Sequence, residues 1–141
     1  PWLQATPDPI STAVWTTWVE INSRKAEEMG LVEGDIVELR VDGKSIEALI
    51  DPNPSVPPGL LAVPLGQGHT NYGRYAQGRG SNVMSILSSQ KVSGTGSLAW
   101  AGNKVNLVKT GKRISMPRFE GNVPAIEPQP GRIIQITRPE G

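Results

Sequence analysis

The stretch Asp35-Ile36-Val37-Glu38-Leu39-Arg40-Val41-Asp42-Gly43-Lys44-Ser45-Ile46-Glu47-Ala48-Leu49-Ile50 decides the fold of this chain. Its first seven residues alternate apolar and polar side chains, which is the period of a half-buried β-strand. Asp42-Gly43 is a strong signal for a two-residue hairpin turn. Residues 45–50 then supply a returning strand, so the stretch predicts an antiparallel β-hairpin.

A second strand and a helix precede this hairpin. Residues 17–21 are rich in aromatic and β-branched side chains and read as a strand. Asn22 is placed to cap a short helix over residues 23–29, and Gly30 to end it in a left-handed conformation. Residues 1–13 contain three prolines and are predicted to be irregular.

Further short strands follow the hairpin. The turn Pro57-Pro58-Gly59 leads into an apolar strand at 60–63, and residues 98–100 and 105–108 read as two strands joined across Gly102-Asn103. Residues 82–87 could form a short helix or an irregular turn, and 133–136 an edge strand. About six short strands favour a closed β-barrel. We predict one mainly β domain over residues 1–141, with the barrel at about 14–112 and an irregular tail at 113–141.

Composition removes several classes of function. The chain has 141 residues and no cysteine, which excludes disulfides, thiolate metal sites and cysteine nucleophiles within it. No apolar run approaches the roughly 20 residues of a membrane span, so no direct membrane insertion is expected. The first residue is Pro1, and we interpret the chain as part of a longer polypeptide. The sequence does not fix the compartment.

Charge is divided sharply along the chain. Residues 1–51 carry a net charge of −6, whereas residues 52–119 contain eight lysines and arginines and no acidic residue. A nearly neutral protein with opposed halves steers a local anion better than it coats a long polyanion, so nucleic acid is not the expected partner. The alternative is that the basic residues are solvated strand faces and loop tips.

A glycine-rich loop lies inside the basic region, at residues 66–80, and holds the only histidine and both tyrosines. Backbone N–H groups, fixed cations and aromatic rings in one loop suit a phosphate-bearing heterocyclic ligand. Arg74 and Arg79 could bind pyrophosphate, or could pair with the acidic first half or a neighbouring domain. The loop's candidate contacts are Gly66, Gln67, Gly68, His69, Tyr72, Arg74 and Arg79.

No catalytic or metal-binding set is visible in the sequence. His69 has no acidic neighbour along the chain, and Glu27 and Glu28 read as a solvated helix surface. Trp15 and Trp18 are expected to pack in the core or at an interface. We predict neither catalytic residues nor metal ligands.

An ordered set of motifs resembles a known family. The residues Trp18-Val19-Glu20-Ile21-Asn22, Gly30-Leu31-Val32-Glu33-Gly34-Asp35 and Gly80-Ser81-Asn82 resemble the C-terminal dinucleotide-binding domain of the molybdopterin oxidoreductases, the DMSO reductase superfamily. The loop is similar to that of polysulfide- and tetrathionate-reductase-like proteins and of subunits of alternative respiratory complexes. The resemblance implies a double-psi β-barrel with one or two short helices.

The resemblance also implies a ligand and partners. The expected cofactor is molybdopterin guanine dinucleotide, and Asn82 and Asn22 join the loop residues as candidate contacts. The domain would be noncatalytic alone, in a parent oxidoreductase whose other domains, and iron–sulfur and membrane-anchor subunits, are its partners. Association with such subunits would localise the protein to the periplasm or to a membrane surface. The alternative is a structural or assembly domain of a respiratory complex that has lost the cofactor.

Overall fold

The computed structural model describes residues 2–119. The chain forms a small, mainly β structure with few and short helices. In chain order the elements are α1 (Trp2–Ala5), β1 (Trp18–Ile21), α2 (Ser23–Glu28), β2 (Asp35–Val41), β3 (Lys44–Pro52), β4 (Leu61–Ala62), α3 (Gly73–Ala76) and β5 (Asn106–Arg113), with 3₁₀ turns at Val83–Ser85 and Trp100–Gly102.

The five strands form one sheet in the order β4-β1-β3-β2-β5. β1 pairs with β3 in parallel, and the other neighbouring strands pair antiparallel. The predicted hairpin is confirmed as β2 and β3, with Val41 opposite Lys44. Asp42 and Gly43 both have positive φ, at 47° and 80°, as a two-residue turn of this twist requires.

The predicted helix after β1 is also confirmed. The Asn22 side chain accepts a hydrogen bond from Lys25 N–H and caps α2, whose first residue is Ser23. Gly30 follows with φ 63°, the left-handed conformation that ends a helix without steric cost when the residue is glycine.

The sheet buries side chains on both faces. The larger cluster joins β1, β2 and β3 to α2 and the turn at Val83–Ser85 and includes Val19, Val37 and Ile50, each fully buried. A smaller cluster holds Trp18, Leu49 and Met116 on the opposite face. β1 and β3 therefore place successive side chains in two different apolar clusters, which fixes their register.

Two sequence predictions differ from the structure. Residues 98–100 form no strand: Leu98 makes one isolated bridge to Lys91, and the chain then turns at Trp100–Gly102. Residues 2–5 are helical rather than irregular. β5 runs to Arg113, and Met116 is buried beyond it, so the chain is still part of the packed structure past 112. The predicted strand at 133–136 lies outside the described residues.

Within residues 2–119, no helix has the length and apolar character that crossing a membrane requires.

A buried carboxylate ties β5 to the body of the fold. Asp35 lies 3.1 Å from Lys109 Nζ, and its side chain accepts from Val32 N–H. Burial raises the pKa of Asp35, but these donors and Arg113 together outweigh burial and hold the pKa below the usual 3.8. The stability that ionised Asp35 contributes is present above about pH 4 and lost as pH falls through the lowered pKa.

Asp51, at the far end of β3, has the opposite shift. Burial raises the pKa of Asp51, and the neighbouring carboxylates add to the rise, against the opposing charge of Arg118 at 3.7 Å. A carboxyl with a raised folded-state pKa stabilises the fold below its unfolded pKa, and that contribution disappears as pH rises through the folded-state value.

We therefore expect Asp51→Asn to raise the unfolding midpoint at pH 7 by roughly 2 to 4 °C and to lose this advantage at pH 3, where Asp51 is also neutral. Thermal unfolding of wild type and variant at both pH values measures the effect. Asp42→Asn, at an exposed turn position that tolerates asparagine, is the control. A lower midpoint for Asp51→Asn at pH 7 would mean that the ion pair with Arg118 outweighs burial.

Candidate functional site

The glycine-rich loop leaves the body of the protein after β4 and returns before the 3₁₀ turn at Val83–Ser85. Two cross-loop hydrogen bonds close it, from Gly68 N–H to the Arg79 carbonyl at 3.0 Å and from Gly78 N–H to the His69 carbonyl at 3.2 Å. The short helix α3 lies at its outer end. The loop thus has a defined conformation that its own hydrogen bonds hold.

The base of the loop is bonded to the sheet. Thr17 Oγ1, just before β1, donates to the Ser81 carbonyl at 2.9 Å and accepts from Ser81 N–H at 2.8 Å. Ser81 Oγ donates to the Glu47 carbonyl on β3 at 2.8 Å. Gln67 is buried beside this anchor. These contacts fix where the loop starts and ends.

The surroundings of its glycines divide the loop into an inner half, at Gly66, Gly68 and Gly80, and an outer half, at Gly73 and Gly78. At the inner half, a Cβ on Gly68 would lie 2.2 Å from Asn82 N, one on Gly80 2.9 Å from Thr17 Oγ1, and one on Gly66 2.5 Å from Leu3 Cβ. At the outer half, a Cβ on Gly73 or Gly78 would meet nothing within 4 Å among the described residues. The inner half is filled by the chain itself, and the outer half is open.

The outer half presents rings and cations. Arg74 Nη2 donates to the Tyr75 hydroxyl at 2.7 Å, and its guanidinium lies 4.7 Å from that ring's centroid. His69 and Tyr72 meet edge to face at 4.8 Å. The Arg79 guanidinium lies 5.9 Å from the ring of Trp15, a residue outside the loop. Planar groups and fixed positive charge are therefore adjacent.

Trp15 is the site residue that sequence reasoning missed. It was expected to pack in the core or at an interface, but it is only partly buried and lies beside Arg79. Its φ of 58° is rare for a bulky residue. No local sequence signal predicts this conformation, since Trp15 lies before the predicted strand at 17–21 and is not a residue type that favours positive φ.

The two candidate asparagines have different surroundings. Both ends of the Asn22 amide are engaged, since Oδ1 accepts from Lys25 N–H and Nδ2 donates to the Val56 carbonyl at 2.8 Å. Asn82 is exposed, and its Oδ1 accepts from Met84 N–H at 3.1 Å. Its amide nitrogen bonds to no residue of the described range 2–119, so it can donate to a ligand.

Some basic residues of the region 52–119 form ion pairs within the fold, and others do not. Lys109 and Arg113 pair with Asp35, and Arg118 pairs with Glu33 and Asp51. Arg74 and Arg79 form no ion pair with a carboxylate of residues 2–119. Among the described residues, the two loop arginines therefore do not pair with the acidic first half, which was one alternative for them, and their charge stays available.

Residues 2–119 contain no cluster of three or more histidine, aspartate or glutamate side chains that could hold a metal ion. Asp35 is engaged in its own ion pairs, and His69 packs on Tyr72. The chemistry that the site's groups offer is recognition of an anionic, planar ligand by charge-assisted hydrogen bonds and ring contacts.

Comparison with known proteins identifies the family of the chain and a similar protein. Residues 6–100 match the family described as Molydopterin dinucleotide binding domain. The chain is also similar to a curated protein of Nitratidesulfovibrio vulgaris, "Menaquinone reductase, molybdopterin-binding-like subunit", with 32% identity over 92 residues. This match covers 65% of the chain and only 13% of the relative, so the chain corresponds to a small part of that protein.

Proposed function

The chain belongs to the molybdopterin dinucleotide-binding domain family, a cofactor-binding domain of molybdenum oxidoreductases, and from this membership we propose that the outer half of its glycine-rich loop binds the dinucleotide's diphosphate. The observation that carries the proposal is that Arg74 and Arg79 are exposed and form no ion pair within residues 2–119. Two basic residues of β5, Lys109 and Arg113, instead pair with the buried Asp35.

The donor set fits such a ligand at the outer half of the loop. Guanidinium groups form strong, directional hydrogen bonds to phosphate oxygens. Gly73 and Gly78 leave their surroundings open, so a diphosphate can approach the backbone there. Tyr72 and His69 offer ring surfaces to a guanine or pterin, and the free Asn82 amide nitrogen can donate to a heterocycle edge. Guanine as the base of the dinucleotide is part of this proposal.

The inner residues have a supporting role. Gly66, Gln67 and Gly68 lie against the protein's own backbone and side chains, and Asn22 is fully engaged in capping α2. We assign Gly66, Gln67 and Gly68 to shaping the loop and Asn22 to capping α2. The ligand contacts are assigned to His69, Tyr72, Arg74, Arg79 and Asn82.

The domain itself supplies binding, orientation and charge compensation. The redox chemistry of the parent protein would be supplied by the metal of the bound cofactor. The parent's remaining domains, iron–sulfur subunits and a membrane anchor are the partners we propose, since the relative is described as part of a menaquinone reductase.

We also propose that the sheet curls into a double-psi β-barrel, formed within a single domain. In support, one cavity of about 570 Å³ is lined by Leu61 on edge strand β4, by Leu39 on β2 and by Val105, which directly precedes edge strand β5. The two edges of the sheet thus border a common space, as the edges of a strongly curled sheet do.

A second candidate function is structural: an assembly domain that keeps the fold but no longer binds the cofactor. The filled inner half of the loop favours it, because Gly68 and Gly80 are explained by packing alone. The relative's description as molybdopterin-binding-like would fit the same reading.

Nucleotide analysis of the full-length parent protein separates these two functions. We expect the purified wild type to release a guanine nucleotide on acid hydrolysis, with molybdenum or tungsten present. The double variant Arg74→Ala/Arg79→Ala should retain about tenfold less nucleotide or lower, the loss of about 1.4 kcal/mol or more in binding, with an unchanged unfolding midpoint.

Arg24→Ala is the matched control, because Arg24 is an exposed arginine on α2, outside the loop. It should leave the nucleotide content unchanged. A pure, well-folded wild type without nucleotide would support the assembly function. Equal nucleotide content in the double variant and wild type would remove the two arginines from the site.

A further inference from the structure

The first helix, α1, buries a polar residue and exposes apolar ones, which is the reverse of the usual pattern. Gln4 is 0% exposed, whereas its apolar neighbours Trp2 and Leu3 are 85% and 66% exposed. Burying a glutamine is favourable only when its polar groups find partners. The orientation of α1 is therefore explained by what Gln4 contacts.

Gln4 contacts the two segments that form the aromatic–cation pair of the site. Its Nε2 donates to the Ala76 carbonyl at 2.9 Å and to the Arg79 carbonyl at 3.1 Å. Its main-chain carbonyl accepts from Trp15 N–H at 3.2 Å. One residue thus holds both the backbone of Arg79 and the backbone of Trp15.

The held conformation is one that the local chain does not favour. Trp15 has φ 58°, where a bulky side chain is strained, so surrounding contacts must maintain it. The backbone of a glycine-rich loop likewise samples many conformations unless contacts fix it, and the base of the Arg79 side chain moves with that backbone. The contact between the Arg79 guanidinium and the Trp15 ring depends on both constraints.

The amide nitrogen of Gln4 is the group that few other side chains can replace in this contact. Two carbonyl oxygens require two N–H donors on one atom, which a glutamine amide provides and a carboxylate or thioether does not. Gln4 Oε1 is buried with no hydrogen-bond partner in residues 2–119, which is unfavourable. The burial of Gln4 is therefore explained by the two hydrogen bonds that its amide nitrogen donates.

We propose that Gln4 is a positioning residue that orients Arg79 and Trp15 toward the diphosphate-bearing ligand. The proposal rests on the proposed function of the loop. Gln4 touches no ligand itself. Its side chain acts through the carbonyls of residues 76 and 79, and its main-chain carbonyl acts through Trp15 N–H. Loss of its donors should release the loop while leaving the sheet and its core intact, since α1 contributes only Gln4 to the buried set.

The test compares Gln4→Glu and Gln4→Met with wild type in the full-length protein. Gln4→Glu keeps the shape and sets a carboxylate against two carbonyls, while Gln4→Met removes the donors without adding charge. Gln90→Glu, at an exposed glutamine outside the loop, is the control for added charge. The measurements are retained guanine nucleotide, the unfolding midpoint, and the rate of trypsin cleavage after Arg74 and Arg79 relative to exposed Lys91.

We expect both Gln4 variants to retain about tenfold less nucleotide and to be cleaved about tenfold faster after Arg74 and Arg79, with unchanged cleavage after Lys91 and a similar midpoint. If wild type holds nucleotide and Gln4→Met matches it in both nucleotide and cleavage, the proposal is overturned while the loop's function stands.

A wild type without nucleotide overturns the proposed function instead, and the cleavage rates then decide whether Gln4 positions the loop. Faster cleavage at every site, Lys91 included, with a lower midpoint would show that Gln4 supports the whole fold and would overturn its specific role.

Discussion

Gly68→Ala is expected to lower the free energy of unfolding by about 2 to 5 kcal/mol. The added Cβ would lie 2.2 Å from Asn82 N and 2.4 Å from the Ser81 carbonyl carbon, and φ at this position is 78°. The left-handed conformation costs an L-residue about 1–2 kcal/mol, and forced overpacking adds about 1–3 kcal/mol. The atoms in the way belong to the backbone and cannot rotate aside.

Gly78→Ala is a matched control in the same loop. Its φ is 71°, nearly that of Gly68, but its Cβ would meet nothing within 4 Å of the described chain. We expect a loss of only about 1–2 kcal/mol, from the backbone conformation alone. Urea unfolding of both variants measures the difference. Equal losses would show that the inner half of the loop can relax and is not packed as the structure has it.

Thr17→Val is expected to cost about 2 to 3 kcal/mol of stability. Valine has nearly the shape of threonine but lacks the hydroxyl that donates to the Ser81 carbonyl and accepts from Ser81 N–H. Two partly buried backbone groups would lose their partners, each at about 1–3 kcal/mol before solvation by water is allowed for. The connection between β1 and the loop base would be broken.

Thr70→Val tests whether the effect of Thr17→Val comes from its hydrogen bonds. Thr70 is exposed in the same loop, and its side chain makes no hydrogen bond within residues 2–119. The same substitution there should change stability by no more than about 0.5 kcal/mol. Chemical denaturation gives both values, and a loss at Thr17 as small as that at Thr70 would contradict the anchoring role.

The parts of the fold that local chemistry determines were predictable from the sequence. Asp42-Gly43 specifies a tight hairpin turn, and the alternating strand before it specifies which face is buried. Asn22 and Gly30 mark the ends of α2 because each meets a backbone requirement that few residues meet.

The misplaced strand at 98–100 shows where local reasoning ends. Leu98-Ala99-Trp100 is a short apolar run, and such runs read equally well as a strand, a helix segment or a turn that presents its side chains to a cavity. Here Trp100 lies in a 3₁₀ turn and lines the cavity beside Leu61. The length of such a run carries too little information to separate these outcomes.

The sequence singles out the glycine-rich loop, but its inner and outer halves could not be distinguished beforehand. Gly68 and Gly78 are equivalent along the sequence, and only the tertiary neighbours of each position separate a packed glycine from an open one. Gln4 was invisible for the same reason, because its partners are distant in the chain and nothing local selects it.

The hydrogen bonds of Gln4 join residues 72 and 75 positions apart. Closing so long a segment is entropically costly and is compensated only after the intervening strands have formed. During synthesis α1 leaves the ribosome before residue 79, so these hydrogen bonds form only after residue 79 has emerged. The contact between Arg79 and Trp15 is therefore expected to form late in folding, after the strands between α1 and residue 79 have paired.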